Sequence, residues 1–278
     1  MRRYAIIGHP VSHSLSPALH NAAFEALGLD CRYEAIDIEP GEVKERFAEL
    51  CADGFAGFNV TVPHKQAVIP LLESIDETAK AIGAVNTIVK QGRGYKGYNT
   101  DVQGFLKLAE PFAALISGKH VCVLGAGGAA RAVLYGLTKK FSPKHITVLN
   151  RTIDRAEAIA ADFSSGPVLI KPESLFQDGL QKLVKDASVI INTTSAGMKP
   201  YTDATPLDGV KFRKDQAVID LIYTPSETTL LKEAKKAGAR AANGLEMWLA
   251  QAEEAFRLWT GKELPPGARK AIEEQTTG

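Results

Sequence analysis

A chain of 278 residues has room for two domains of ordinary size. Its apolar share of 45% and charged share of 23% fit a globular enzyme, and a net charge of +1 with no basic block lacks the electrostatic footprint of a nucleic-acid binder. No apolar run approaches a membrane span, and Tyr4–Ile7 is too short an apolar core for a signal peptide before Gly8 and Pro10 break it.

Read in order, Tyr4–Ile7 is a first strand. After Gly8-His9-Pro10, Ser16 at the N-cap and Pro17 at the first helical position start a helix that runs to Leu27 and stops at Gly28. Arg32–Ile38 is a second strand, Pro40–Ala52 a helix ended by Gly54, and Phe58–Val62 a third strand closed by Pro63. This βαβαβ order predicts parallel pairing with right-handed crossovers. His64–Leu72 is expected to be helical and shaped by Pro70, and Glu77–Ile82 to form a short helix. Val85–Lys90 and Tyr95–Tyr98, joined through Gln91-Gly92-Arg93-Gly94, read as a hairpin. A helix from Asp101 to Leu108 leads out. The first domain is thus expected to be a mixed sheet with antiparallel edge strands.

Val121–Leu124 then meets Gly125-Ala126-Gly127-Gly128 and flows into a helix over Ala129–Thr138. Strand, glycine turn and helix is the opening of a dinucleotide-binding unit. Gly125 permits the tight turn, Gly127 lets backbone approach a pyrophosphate, and Ala130 takes the small third position against the strand. The helix N-terminus offers N–H groups and a positive dipole end to phosphates. The second strand, Ile146–Leu149, ends in Asn150-Arg151-Thr152. An NAD enzyme places Asp or Glu at that tip, about 20 residues on, for the ribose 2′-hydroxyl. Here the tip is Asn150 beside Arg151, and Arg155 follows on the same side of the next helix. Two guanidiniums suit a 2′-phosphate, so the pattern predicts NADP(H) rather than NAD.

Strands at Val168–Ile170, Val189–Ile191, Ala217–Ile222 and Ala239–Ala242 alternate with helices at Ile153–Phe163, Leu175–Val184 and Thr229–Ala237, as in a doubly wound Rossmann-type sheet. Leu245–Trp259 and Pro266–Glu274 read as helices beyond what that sheet needs, and are expected to return to the first domain. The expected class is α/β, with residues 1–102 and 243–278 forming a substrate domain and 103–242 an NADP domain.

A nucleotide domain does not choose a substrate, so the first domain must. Ser12–Ser16, Asn59–Lys65, Asn86-Thr87 and Asn99–Asp101 bring Ser, Asn, Thr, Lys and Asp to the ends of apolar strands, which predicts a polar pocket at a sheet edge. His13, Ser14 and distant aspartates do not make a hydrolase triad, because no nucleophile elbow is present. His9, His13, His20 and His64 lack metal-ligand spacing. Cys31, Cys51 and Cys122 are odd in number and far apart, which excludes a disulfide framework or spaced-thiolate site and fits a reducing cytoplasm.

The segments PVSHSLSPALHN (Pro10–Asn21), NVTVPHK (Asn59–Lys65), GAVNT (Gly83–Thr87), NTD (Asn99–Asp101), GAGGAARA (Gly125–Ala132), NRT with Arg155, NTTSAGM (Asn192–Met198), DLIYTP (Asp220–Pro225) and GLEMWLAQA (Gly244–Ala252) together resemble the shikimate dehydrogenase family. Their order and spacing extend the resemblance over nearly the whole chain. It implies NADPH-dependent reduction of 3-dehydroshikimate to shikimate, a step toward chorismate and aromatic amino acids. Lys65 matches the family's catalytic lysine and Asp101 its acidic partner. Ser14 and Ser16 resemble its carboxylate clamp; Thr61, Asn86 and Gln251 look like readers of ring hydroxyls, and Tyr223 matches a tyrosine near the carboxylate.

On the cofactor side the resemblance covers Gly125, Ala126, Gly127, Gly128 and Ala129, then Asn150, Arg151, Thr152 and Arg155, and also Thr193, Ile222, Gly244 and Met247. His64 departs from the aromatic often found before the family's lysine, and Gln103 is a second departure. Two other readings stand beside this one: a quinate/shikimate dehydrogenase with looser cofactor choice, and a non-catalytic NADP-binding sensor. A sensor is expected to have lost Lys65 or Asp101, and this chain keeps both. A cytoplasmic monomer or homodimer is expected, with no metal and no nucleic-acid or membrane partner.

Overall fold

A computed structural model describes residues 1–277. By their contacts these form two compact units, Met1–Asp101 with the residues from Leu249 onward, and Val102–Trp248. No described helix is long and apolar enough to cross a membrane.

In the first unit, β1 (Arg2–Gly8), α1 (Ser16–Ala26), β2 (Cys31–Asp37), α2 (Val43–Ala52) and β3 (Gly57–Val60) follow the expected βαβαβ order. Next come β4 (Ser74–Ile75), α3 (Glu77–Ile82), β5 (Thr87–Gln91) and β6 (Gly94–Tyr98). The sheet order is β2-β1-β3-β5-β6-β4. β1 pairs in parallel with β2 and β3, whereas β3, β5 and β6 run antiparallel to one another in turn.

Two local expectations are corrected. α1 begins at Ser16, but Leu15 is the N-cap; the Ser14 hydroxyl accepts from the Ser16 N–H at 3.2 Å, so Ser16 is not the capping side chain. His64–Leu72 is not an α-helix. It is a run of turns ending in a 3₁₀ turn at Ile69–Leu71, with i→i+3 bonds such as Ile69 N–H to Gln66 O and Leu71 N–H to Val68 O. Pro70 has no N–H to give to Gln66, so an α-helical ladder cannot continue there. β4 pairs with β6, and its two residues are too short to show a period in sequence.

The second unit starts within α4 (Asp101–Ala109) and continues through a short α5 (Ala113–Ile116) to β7 (His120–Leu124). α6 (Gly128–Gly136), which widens into a π turn over Leu137–Phe141, leads to β8 (His145–Asn150), α7 (Ile153–Asp162) and β9 (Leu169–Ser174). Then follow α8 (Leu180–Asp186), β10 (Val189–Asn192), β11 (Ala217–Asp220), α9 (Thr229–Lys236) and β12 (Arg240–Ala242). The six strands are all parallel, in the order β12-β11-β10-β7-β8-β9. That is a doubly wound sheet, with its topological switch between β7 and β10. β9 extends past the expected Val168–Ile170 through Pro172, which an edge strand tolerates. α8 starts five residues after Leu175, at a Gly179 with φ 91° that the helix interior could not accept.

Residues alternate across this sheet. Val121, Val123, Ile146, Val148, Val189 and Ile191 pack with α4, α6 and α7, while Cys122, Leu124, Leu149, Ile190 and Val218 pack with α9 and its neighbours. Burial on both faces is why the strands read as unbroken apolar runs. α10 (Leu245–Thr260) and α11 (Pro266–Thr277) close the chain, and the boundary between units falls inside α10. Asn243–Trp248, assigned by sequence to the first domain, thus group with the second unit, where Met247 lies in the core.

One face of the first sheet carries an aromatic cluster. His20 stacks on Tyr33 (centroids 4.6 Å apart) and on Phe256 (6.0 Å), with Trp259 edge-on at 5.2 Å. The Trp259 indole N–H donates to Ile88 O at 3.0 Å, over Gly57, where a Cβ would lie 2.4 Å from that nitrogen. His20 is fully buried, and neither ring nitrogen has a partner among the described residues. Burial holds its pKa down at about 3, against 6.5 for an exposed imidazole. Between those values the unfolded chain binds a proton that the folded one excludes, so this stability is complete above pH 6.5 and drains away as the pH falls. Denaturant titrations from pH 6 to pH 4 should therefore show the parent losing about 1.4 kcal/mol more per pH unit than a His20→Phe variant.

Candidate active site

The polar end of the first sheet is built from segments that leave β3, precede β5 and follow β6. Lys65 lies in the turns after β3, and its carbonyl accepts from Val85 N–H at 2.8 Å, which stitches the lysine's backbone to the approach to β5. Asp101 is the first residue of α4. The Lys65 ammonium donates to Asp101 Oδ2 at 2.5 Å, and the two side chains are only 14% and 7% exposed. A charge-assisted hydrogen bond at this burial fixes where the remaining ammonium protons point.

Asn86 completes the carboxylate. Its Nδ2 donates to Asp101 Oδ1 at 2.9 Å, and also lies 3.0 Å from Thr100 Oγ1 and 3.4 Å from Gln251 Oε1. Its Oδ1 accepts from Thr100 N–H at 2.7 Å and from the Thr87 hydroxyl at 3.2 Å. Both sides of the carboxamide are therefore engaged within the protein. Asn59 supports this arrangement from below, donating to Thr87 Oγ1 at 3.2 Å and accepting from Tyr33 OH at 2.6 Å. Thr87 and Thr100 fall in stretches the sequence marked as polar, though without a role of their own, and Tyr33 was not singled out. A threonine and a tyrosine in strands read as β-formers; the register of β3 with β5 brings Thr87 to Asn59, and the pairing of β1 with both β2 and β3 brings Tyr33 to it.

Apart from Tyr223, the other residues expected on the substrate side lie in the same unit. Thr61 follows β3 and rests on Gly8, where a Cβ would come within 2.3 Å of its methyl. Ser14 is half-buried and Ser16 buried. His64 is buried, and its Nε2 donates to Ile38 O at 2.7 Å, so it anchors the end of β2 rather than facing Lys65. Tyr223 is in the second unit, stacked on Trp248 at 5.1 Å, and burial pushes its hydroxyl up to about 12.

In the second unit the glycine turn sits at the switch point. Gly125 has φ 102°, and a Cβ there would meet Thr193 Oγ1 at 2.7 Å. Thr193 in turn donates both N–H and hydroxyl to Leu124 O. Gly127 is the N-cap of α6; nothing lies within 4 Å of where its Cβ would be, and no side chain caps the helix. The half-buried Ala126, Gly128 and Ala129 flank it. This open backbone, with uncapped N–H groups at a helix start, suits a pyrophosphate. Asn150 ends β8 and donates from Nδ2 to Thr152 O at 2.8 Å, which shapes the turn into α7. Arg151 and Arg155 are exposed there, and neither pairs with a carboxylate among the described residues. The donor set fits a dinucleotide with a 2′-phosphate. Arg131, in the same glycine-rich stretch, instead bonds Asp162 at 2.6 Å and braces α6 against the end of α7.

Ile222 and Gly244 meet through the backbone, Gly244 N–H donating to Ile222 O at 3.0 Å. A Cβ on Gly244 would lie 2.0 Å from Leu221 O, so the protein's own main chain demands glycine at this position. Met247 is buried in the core, its backbone against Gly104.

Three family descriptions match the chain: shikimate dehydrogenase substrate binding domain over residues 6–88, shikimate / quinate 5-dehydrogenase over 107–225, and shikimate 5′-dehydrogenase C-terminal domain over 244–275. A shikimate dehydrogenase (NADP(+)) of Moorella thermoacetica is 44% identical over 278 residues, covering 99% of this chain and 93% of its own. Among solved structures, a shikimate dehydrogenase in complex with NADP+ has a TM-score of 0.86 at 40% identity, covering 100% of this chain and 96% of its own. A quinate dehydrogenase of Corynebacterium glutamicum in complex with NAD also reaches 0.86, at 33% identity, covering 98% and 99%.

The Gly244 contact yields a test that needs no ligand. Gly244→Ala forces the backbone at Leu221 aside, and overpacking of this kind should cost about 3 kcal/mol. Calorimetry should show a melting temperature lower by about 6–10 °C.

Proposed function

The chain belongs to the shikimate dehydrogenase family, and on that premise we propose that it catalyses the reversible, NADPH-dependent reduction of 3-dehydroshikimate to shikimate. The observation that carries the chemistry is the buried Lys65–Asp101 ion pair. When bound, NADPH supplies the hydride. As the ketone carbon gains that hydride, its oxygen gains negative charge and needs a proton. Lys65, held by Asp101, hydrogen-bonds that oxygen and gives it a proton; in the oxidative direction the neutral amine takes the proton from the hydroxyl.

Ser14 and Ser16 grip the ring carboxylate as a neutral clamp, with Tyr223 near it. Thr61, Asn86 and Gln251 read ring hydroxyls, since hydroxyls and amides both donate and accept. Gly125, Ala126, Gly127, Gly128 and Ala129 receive the pyrophosphate, and Thr193, Ile222, Gly244 and Met247 border the rest of the cofactor. Asn150, Arg151, Thr152 and Arg155 hold the 2′-phosphate, supported by the two guanidiniums at the end of β8 that pair with no described carboxylate. We further place the protein in the cytoplasm, where its three free thiols are stable, as a monomer or homodimer without nucleic-acid or membrane partners.

The likeness to a quinate dehydrogenase favours one second reading, in which quinate is also oxidised with looser cofactor choice. Initial rates with shikimate and with quinate, each with NADP and NAD, separate the two. We expect shikimate with NADP to dominate; equal efficiency with NAD would overturn the cofactor assignment. Asp101→Asn should lower kcat by about 100-fold with a smaller change in KM for shikimate, because charge is lost while shape is kept. Each guanidinium–phosphate contact is worth about 1.5–3 kcal/mol, so Arg151→Ala with Arg155→Ala should raise the KM for NADP by about 100-fold or more and leave the weak rate with NAD unchanged.

A further inference from the structure

The Lys65–Asp101 pair is approached from inside the first unit by a chain of buried polar groups, of which Tyr33, Asn59 and Thr87 have no role in binding substrate or cofactor in the reading above. Tyr33, in β2, is 2% exposed and donates its hydroxyl proton to Asn59 Oδ1 at 2.6 Å. Asn59 Nδ2 donates to the main-chain carbonyl of Asn86 at 3.3 Å as well as to Thr87 Oγ1 at 3.2 Å. A carbonyl can only accept, so the orientation of the Asn59 carboxamide is set, and its oxygen must receive the tyrosine proton.

From Asn59 the same polarity continues. The Thr87 hydroxyl donates to Asn86 Oδ1 at 3.2 Å, and Asn86 Nδ2 donates to Asp101 Oδ1 at 2.9 Å. Lys65 closes on the other carboxylate oxygen. Tyr33, Asn59, Asn86, Thr87 and Asp101 are each at most 6% exposed, so water does not compete along the chain. Through these four bonds the donors from Tyr33 to Asn86 all face toward the carboxylate, with Thr100 Oγ1, 3.1 Å from Thr87 Oγ1, as a neighbour within the same network. Aligned hydrogen bonds polarise one another, and a break leaves a buried acceptor without its donor.

We propose that Tyr33 is a positioning residue for the reduction, acting through Asn59, Thr87 and Asn86 to hold the Asp101 carboxylate in line with Lys65. This rests on the reading of Lys65 and Asp101 as the catalytic pair. Tyr33 touches no reacting atom. It keeps Asn59, and hence Thr87 and Asn86, in the orientation that presents one N–H to Asp101 and leaves its second oxygen to the ammonium. The aromatic packing of His20 against the ring restrains the phenol from the other side.

The test is a double-mutant cycle on the full-length enzyme with shikimate and NADP. Tyr33→Phe is expected to lower kcat about tenfold, the effect of about 1.4 kcal/mol in the barrier, with a smaller change in KM for shikimate and none for NADP. In an Asp101→Asn background the same substitution should change kcat by less than about twofold, because the charge that the chain orients is gone. Thr87→Val, which keeps shape and removes only the hydroxyl, should repeat both results, and Thr87→Ser should restore the parent kcat. Thr87→Val carries the cycle alone if Tyr33→Phe does not fold. Multiplicative losses in the double variant, or a rise in KM with kcat unchanged, would overturn the proposal while leaving the catalytic pair intact. An Asp101→Asn enzyme with undiminished kcat would overturn the catalytic reading and this proposal with it.

Discussion

A carboxylate buried beside an ammonium is the constraint on which the polar end of the first unit depends. Neither Lys65 nor Asp101 can leave water without its hydrogen-bonding capacity being met. Asp101 Oδ2 is met by the lysine and Oδ1 by Asn86. Asn86 can serve only while its own oxygen is held by Thr100 and Thr87, and Thr87 only while Asn59 stands beneath it. The sheet exists, in this sense, to deliver β3, β5 and the end of β6 to one place in register. Removing one partner costs far more than the worth of a single bond, because the remaining charge cannot recover its hydration.

The second unit solves a different problem, leaving backbone donors without protein partners. Gly127 provides this by having no side chain, and α6 by having no capping residue. Gly125 contributes indirectly: its positive φ and missing Cβ make room for Thr193, which locks the turn to the end of β7. At the end of β8 the same logic applies to charge. Arg131 is neutralised by Asp162, whereas Arg151 and Arg155 have no carboxylate partner among the described residues. The proposed phosphate site is marked by what the fold declines to satisfy among the described residues.

Much of this was legible in the sequence, for identifiable reasons. Strands buried on both faces read as apolar runs, so β7, β8, β10 and β11 and the doubly wound order were visible. The glycine turn and the Asn150-Arg151-Thr152 tip were visible because local geometry and charge dictate them. What stayed hidden depends on contacts distant in sequence. The requirement for Gly244 comes from the main chain of Leu221, and nothing near Gly244 announces it. His64 could be placed beside Lys65 by position, yet its ring turns to Ile38. The segment from His64 to Leu72 carried helix-forming residues, and Pro70 overrode them. Tyr33 and Thr87 look like ordinary strand residues until β1, between β2 and β3, brings Tyr33 to Asn59 and the pairing of β3 with β5 brings Thr87 there.

The discontinuity of the first unit bears on how the chain folds as it is made. Its sheet is complete by Tyr98, but Phe256 and Trp259, which cover Tyr4, His20 and Tyr33, come from α10. The second unit is contiguous from Val102 to Trp248. A ribosome therefore releases the nucleotide-binding sheet ready to close while the amino-terminal sheet still shows a bare aromatic face. That face stays bare until α10 has been made, when the indole of Trp259 packs over Tyr4 and Tyr33.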